Sequence, residues 1–266
     1  MKIREIMGAL EQFAPLSLQD SYDNAGLQIG LTEDADVSGA LLSLDVTENV
    51  VDEAERLGCN LILSHHPLLF HPLKQIIQDD SLGRIVLKTI RKGIAIYSAH
   101  TNLDNVYGGV SYEMASRLGL KDVQTLQPSI STRMGKDDGA GVIGSLNEPL
   151  PSHDFLNLVK QTFLLPCLRY TELSDKNRLI SRVALCGGAG AFLIPKAVQQ
   201  KADAYITGEI GYHRFFGYEN NILLAEIGHF ESERYTVDLL MSILKPIVEN
   251  QFPIYIYPES NPTSIF

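Results

Sequence analysis

Apolar and polar positions along the chain alternate in two different periods, and the places where the period changes mark out its elements. The opening MKIREIMGALEQFAPLSLQD carries Ile3, Ile6, Met7, Leu10 and Phe13 on one helical face and predicts an amphipathic helix. ALLSLDV (40–46) is a short β-rich run, ENVVDEAERLG (48–58) is an amphipathic helix ended by Gly58, and NLILS (60–64) is a second strand. A helix over SLGRIVLKTIRKG (81–93) leads into the strand IAIYSAH (94–100), and GVSYEMASRLGL (109–120) is the helix after it.

The same order returns further along. RVALCGG (182–188) is a strand into a glycine turn, AFLIPKAVQQKA (191–202) a helix and AYITGE (204–209) a strand. GYHRFFGYEN is a short helical stretch, NILLAEIGH (221–229) a strand, and 231–250 one long helix. Thus ILSHH (62–66) lines up with YITGE (205–209), and IYSAH (96–100) with LAEIGH (224–229). Few identities are shared, so generic βαβ patterning accounts for the match more readily than a duplication does. Alternating strands and helices predict an α/β fold of two halves of similar topology. The first half is expected over 1–125, with 230–266 available to complete it, and the second over 126–266. The polar, glycine-containing stretch 121–141 is the best linker candidate. VIGSL (142–146) and CLRYTEL (167–173) add edge strands, 151–163 adds a helix, and FPIYIYP (252–258) reads as a further edge strand.

Composition narrows the class. The 266 residues include 45% hydrophobic and 20% charged positions, an ordinary globular balance. The net charge of −10 argues against a protein that sheathes nucleic acid. No run approaches the roughly 18 apolar residues of a membrane span, and no apolar leader is present. Three widely spaced cysteines, Cys59, Cys167 and Cys186, with no CxxC pair, predict free thiols in a reducing cytoplasm.

Only seven histidines are present, and six lie at or near strand ends: His65, His66, His71, His100, His213 and His229. His153 is the exception. The carboxyl ends of parallel strands are where open α/β sheets hold their ligands. In NLILSHHP two adjacent imidazoles end a strand that Pro67 stops, so both rings can face one site although successive strand residues point to opposite faces. His100 is followed four residues later by Asp104, and His229 four residues later by Glu233. Imidazole mixed with carboxylate suits Zn, Mn, Fe or Ni, with a carboxylate able to bridge two ions. Capping pairs on a solvated surface would give the same spacing.

The set DSYDNAGLQIG (20–30), SHHP (64–67), HTNLD (100–104), TGE (207–209) with His213, and HFESE (229–233) resembles the NIF-three-like family, named for an Ngg-one-interacting factor. Bacterial members are labelled GTP cyclohydrolase 1 type 2 homolog. The resemblance spans about residues 20 to 240. Tyr22 stands where the family often has Trp, and the short connection over 121–141 fits a member without the larger domain that some relatives insert there.

The resemblance implies two divalent metal ions bound between two interlinked α/β halves of similar topology, with His65, His66, Asp104, His229 and Glu233 as ligands. His100 is then close to the ions without ligating them, or serves as an acid or base. The family also implies a homohexameric ring. Such a centre suits hydrolysis of a nucleotide, GTP among them, or of another small heterocyclic or phosphorylated substrate. The competing reading is a metal-binding regulatory or chaperone-like ring that binds a protein partner. Glu209, with His213, is a candidate general base or water-orienting group, or else a buried, hydrogen-bonded carboxylate. The turn in ALCGGAGAFLIPKA (184–197) offers backbone N–H groups to a phosphate or is simply a tight βα turn with positive φ. Cys186 in that turn has no visible base partner and reads as a packed residue.

Overall fold

The computed structural model describes residues 1–30, 34–129 and 137–264. In chain order the strands are β1 (Gly26–Ile29), β2 (Ala40–Ser43), β3 (Leu61–Ser64), β4 (Ala95–Ser98), β5 (Lys121–Pro128) and β6 (Gly139–Pro151). They continue with β7 (Arg169–Tyr170), β8 (Leu179–Cys186), β9 (Ala204–Thr207), β10 (Leu223–Glu226) and β11 (Ile254–Ile256). The helices are α1 (Ile3–Phe13), α2 (Glu48–Arg56), α3 (Ser81–Lys92), α4 (Thr101–Asn105) and α5 (Val110–Arg117). After them come α6 (Ser152–Thr162), α7 (Ile194–Gln199), α8 (His229–Glu233) and α9 (Thr236–Val248).

The chain forms two compact units, Met1–Leu103 with Thr236–Ser260, and Asp104–Tyr235 with Asn261–Phe266. The first unit has a five-stranded sheet in the order β1-β4-β3-β2-β11, parallel except for β1. Leu41, Ile62 and Ile96 stand side by side on one face and pack with Val50, Val51 and Ala54 of α2 and Ile85 and Val86 of α3. The next residues in register, Leu42, Leu63 and Tyr97, point to the opposite face, where the Tyr97 hydroxyl reaches Glu11 of α1 at 3.3 Å. Every position of these central strands is buried, which is why they read as continuous apolar runs. The helices are set by local chemistry: Thr47 caps α2 through the Val50 N–H, and Asp80 caps α3 through the Gly83 N–H.

The second unit has a six-stranded sheet in the order β5-β6-β8-β9-β10-β7, with only β8, β9 and β10 parallel to one another. One face carries Val183, Leu185, Ala204, Ile206, Leu223 and Ala225 against Phe155, Val159 and Phe163 and against Met114 and Ala115 of α5. The other carries Ala184, Tyr205 and Leu224 against Ile194 and Ala197 of α7. Each unit therefore contains three consecutive parallel strands in chain order, β2-β3-β4 and β8-β9-β10.

Three expectations change. The stretch read as a linker contains β5 and the start of β6, paired antiparallel, with residues 130–136 lying outside the described ones. Its polarity is that of an edge strand: Lys121, Asp122, Gln127 and Pro128 are exposed while Thr125 and Leu126 are buried. The division falls after Leu103 and not at 125, because α5 packs on β6 and β8 and so goes with the second sheet. The helix expected over 231–250 is two helices, since α8 belongs to the second unit while α9 lies against α1, β2 and β11 of the first. Among the described residues no helix is long and apolar enough to cross a membrane. Cys59, Cys167 and Cys186 are not joined in disulfides.

Phe155 is fully buried in the second core. Phe155→Ala is expected to cost about 3–5 kcal/mol in a urea titration that follows the second unit.

Candidate metal centre

In the first unit the parallel strands end level with one another at Ser43, Ser64 and Ser98, neighbours in register and all buried. The Ser64 and Ser98 hydroxyls lie 2.8 Å apart and both donate to the carbonyl of His66, at 2.9 and 3.3 Å. This pins the backbone where β3 stops and lets His65 and His66 turn toward one place. The ring centroids of His65, His66 and His100 are 5.0, 5.3 and 5.5 Å apart, and one ring nitrogen of each lies within 4.8 Å of the others.

Each of the three rings has an oxygen beside Nδ1. His65 meets the Ala99 carbonyl at 2.8 Å, His66 meets Asp45 Oδ1 at 2.9 Å and His100 meets Asp23 Oδ1 at 2.8 Å. A carbonyl or carboxylate there assigns the proton to Nδ1 and leaves the Nε2 lone pair for a metal. This is the arrangement that metal-ligating histidines use.

In the second unit Asp104 and Glu233 bring carboxylate oxygens within 4.8 Å of one another. His229 and Glu233 share α8, and His229 Nε2 lies 3.0 Å from Glu233 Oε2. Here too Nδ1 faces an oxygen, Glu209 Oε1 at 2.8 Å. With the proton on Nδ1, a ring lone pair opposes the buried Glu233 carboxylate. Only a proton or a cation between them relieves that opposition.

The glycine turn makes room for this helix. A side chain at Gly188, where φ is +58°, would meet Glu233 Oε1 at 2.3 Å, and one at Gly208 would meet the His229 Cα at 2.9 Å. The Gly188 N–H donates to Ser232 Oγ, the Gly190 N–H to Thr207 Oγ1, and the Gly188 carbonyl accepts from the Glu209 N–H. These contacts favour the tight-turn reading over a phosphate cradle, and Cys186 is buried.

Imidazole nitrogen and carboxylate oxygen together form a donor set that fits Zn, Mn, Fe or Ni. Residues 1–262 match the protein family Duf34/NIF3 (NGG1p interacting factor 3). The chain belongs to this family. Similar relatives include proteins named GTP cyclohydrolase 1 type 2 homolog from Lactococcus lactis, 38% identical over 80% of this chain and 79% of the relative, and from Streptococcus pneumoniae, 33% identical over 100% and 99%. Among solved structures, protein SA1388 of Staphylococcus aureus superposes with a TM-score of 0.88 at 27% identity, covering 100% of this chain and 99% of its own. A Bacillus cereus protein related to NIF3 gives 0.88 at 25% identity over the same shares.

Among the expected residues of this NIF3 chain, the structure gathers His65, His66 and His100 in one unit and Asp104, Glu209, His229 and Glu233 in the other. Glu209 is exposed rather than buried, and it holds His229. His213 stacks on Phe216 and meets Tyr212 edge-on, and His71 lies against Phe70. Sequence reasoning missed the roles of Asp23 and Asp45. A signal for Asp45 was present: SLD (43–45), SHH (64–66) and SAH (98–100) each place a strand-ending serine two residues before a titratable group. It also missed Glu259, which accepts from the Leu44 and Asp45 N–H groups and whose carboxyl burial pushes up to about 7.

Burial alone would raise the Asp23 carboxyl, but bonds from His100, Thr101 and the Asn24 N–H outweigh it and hold the group at about 2, against 3.8 ordinarily. Its ionisation therefore stabilises the fold above about pH 4, and that contribution is lost as pH falls through about 2. The expected result is a melting temperature that drops more steeply over this range in the wild type than in Asp23→Asn. Gly188→Ala, forced into the left-handed region against Glu233, is expected to cost about 1–2 kcal/mol in chemical denaturation and to weaken metal uptake.

Proposed function

We propose that the protein is a dinuclear metal-dependent hydrolase of a nucleotide or another small heterocyclic or phosphorylated substrate, with His65, His66, Asp104, His229 and Glu233 as the metal ligands. The observation that carries this reading is the oxygen acceptor beside Nδ1 of His65, His66 and His229, which prepares each ring to bind a cation through Nε2. Five side chains for two ions leave coordination positions for water and substrate, as a catalytic centre needs and a structural one does not.

Divalent ions there supply Lewis acidity and offset the charge of Asp104 and Glu233. His100, paired with the fully buried Asp23 side chain, is the residue that moves a proton. Asp23 orients its ring, the role a carboxylate plays behind a general acid or base. Glu209 acts by keeping the His229 proton on Nδ1, and its exposure also lets it order water. The names of the relatives support GTP as the first compound to test. The family resemblance supports a homohexameric ring, which native mass spectrometry would record as six times the 29.4 kDa chain.

His66→Ala and Glu233→Ala are each expected to release at least one metal equivalent per chain while circular dichroism stays unchanged, because both hydrophobic cores form without the ligands. Retention of two equivalents by either variant overturns the ligand set. Metal-loaded protein given GTP is expected to release formate, and His65→Ala to abolish that release; turnover indifferent to the substitution would trace to a contaminant.

A further inference from the structure

We propose that Tyr22 and Phe70 form a stacking platform for the planar heteroaromatic ring of the substrate beside the three-histidine cluster, an inference that rests on the hydrolase reading above. Phe70 stands with its ring centroid 6.0 Å from His100 at 83°, and Tyr22 with its centroid 6.3 Å from Phe70 at 61°. Tyr22 is 63% and Phe70 37% exposed, although large aromatic rings ordinarily find cover. The rings meet edge to face, so a flat face of each is turned away from the other.

The segments that carry them are tied together. Asn24 Nδ2 donates to the Leu69 carbonyl at 2.7 Å, the Leu69 N–H donates to Gln28 Oε1 at 3.1 Å, and Gln28 Nε2 donates to the Asn24 carbonyl at 2.5 Å. The Tyr22 hydroxyl donates to Asp20 at 3.0 Å. Asp23, next to Tyr22, accepts from His100 Nδ1, from the Thr101 N–H and from the Thr101 hydroxyl. The loop that holds His100 in its tautomer therefore also sets the position of the Tyr22 ring. Two exposed aromatics on a cross-bonded frame lose little conformational entropy on binding, which is the economy of a preorganised site.

Charge selects which part of a ligand lies there. Asp20 and Asp23 flank Tyr22 in the chain, and no lysine or arginine stands within three residues of Tyr22 or of Phe70 in the sequence. A phosphate is therefore not the group received. An uncharged ring is, because base-on-aromatic stacking works through π-faces and needs no counter-charge. The remainder of the substrate then extends toward His65, His66 and His100.

The chain has no tryptophan, so Tyr22→Trp places a single indole reporter on the platform. In metal-loaded Tyr22→Trp protein, GTP is expected to quench the indole saturably and tripolyphosphate to leave it unchanged. Adding Phe70→Ala is expected to raise the GTP Kd by roughly five- to a hundredfold while tripolyphosphate affinity moves less than twofold and metal content stays constant. Phe70→Leu, which keeps the apolar bulk and removes the ring, should behave as Phe70→Ala does. The platform is overturned if Phe70→Ala leaves the GTP Kd within twofold, if tripolyphosphate loses as much, or if GTP fails to bind protein that retains its metal. Wild-type protein that takes up no metal contradicts the metal centre instead, and the platform is then judged by GTP binding to the metal-free chain.

Discussion

A neutral imidazole offers a lone pair at Nε2 only while its proton is kept on Nδ1, and both sheets are arranged to meet that condition. An oxygen stands within 2.9 Å of Nδ1 in His65, His66, His100 and His229. The acceptors come from different kinds of group: the backbone just past β4, a carboxylate just past β2, a loop before β1, and a carboxylate two residues past β9. A fold that orients four rings in this way has committed each of those segments. Where the serines end their strands, how the 20–25 loop closes over Thr101 and why the glycine turn must stay narrow all follow from holding the rings.

The cost of that arrangement falls on small residues and hydroxyls. Ser64 and Ser98 are buried polar groups that are satisfied through one another and through the His66 carbonyl. Thr207, in the matching place of the second sheet, accepts from the Gly190 N–H and donates to the Gly188 carbonyl. Glycine at 188 and 208 lets α8 approach closely enough for His229 and Glu233 to face a common point. Both units solve one problem, ending buried parallel strands at a polar site, with one hydroxyl at the same level of the central strand.

Much of this was legible along the chain. The strands that lead to His66, Glu209 and His229, the helices over 48–56, 81–92 and 110–117, and the helical spacing of His229 and Glu233 all follow from periods of 2 and 3.6. What was read wrongly has a common origin. An edge strand such as β5 exposes most of its side chains and so looks like a linker, and two short helices joined at 234–235 share one apolar period with a single long helix. Asp23 and Asp45 were passed over because a carboxylate far away in sequence gives no local sign that it will meet an imidazole.

The sequence by itself determined the residue types that can bind a cation, their positions at strand ends and the membership of the family, because these depend on local order and on motif spacing. Only the tertiary structure decided which carboxylate stands behind which ring, that Glu209 supports His229, and that the division between units falls after Leu103. Those outcomes depend on contacts such as Asp23 with His100, 77 residues apart, and Asp45 with His66, 21 apart. Nothing in a local window specifies such pairs; they exist once the register of the parallel strands has brought their ends to one level.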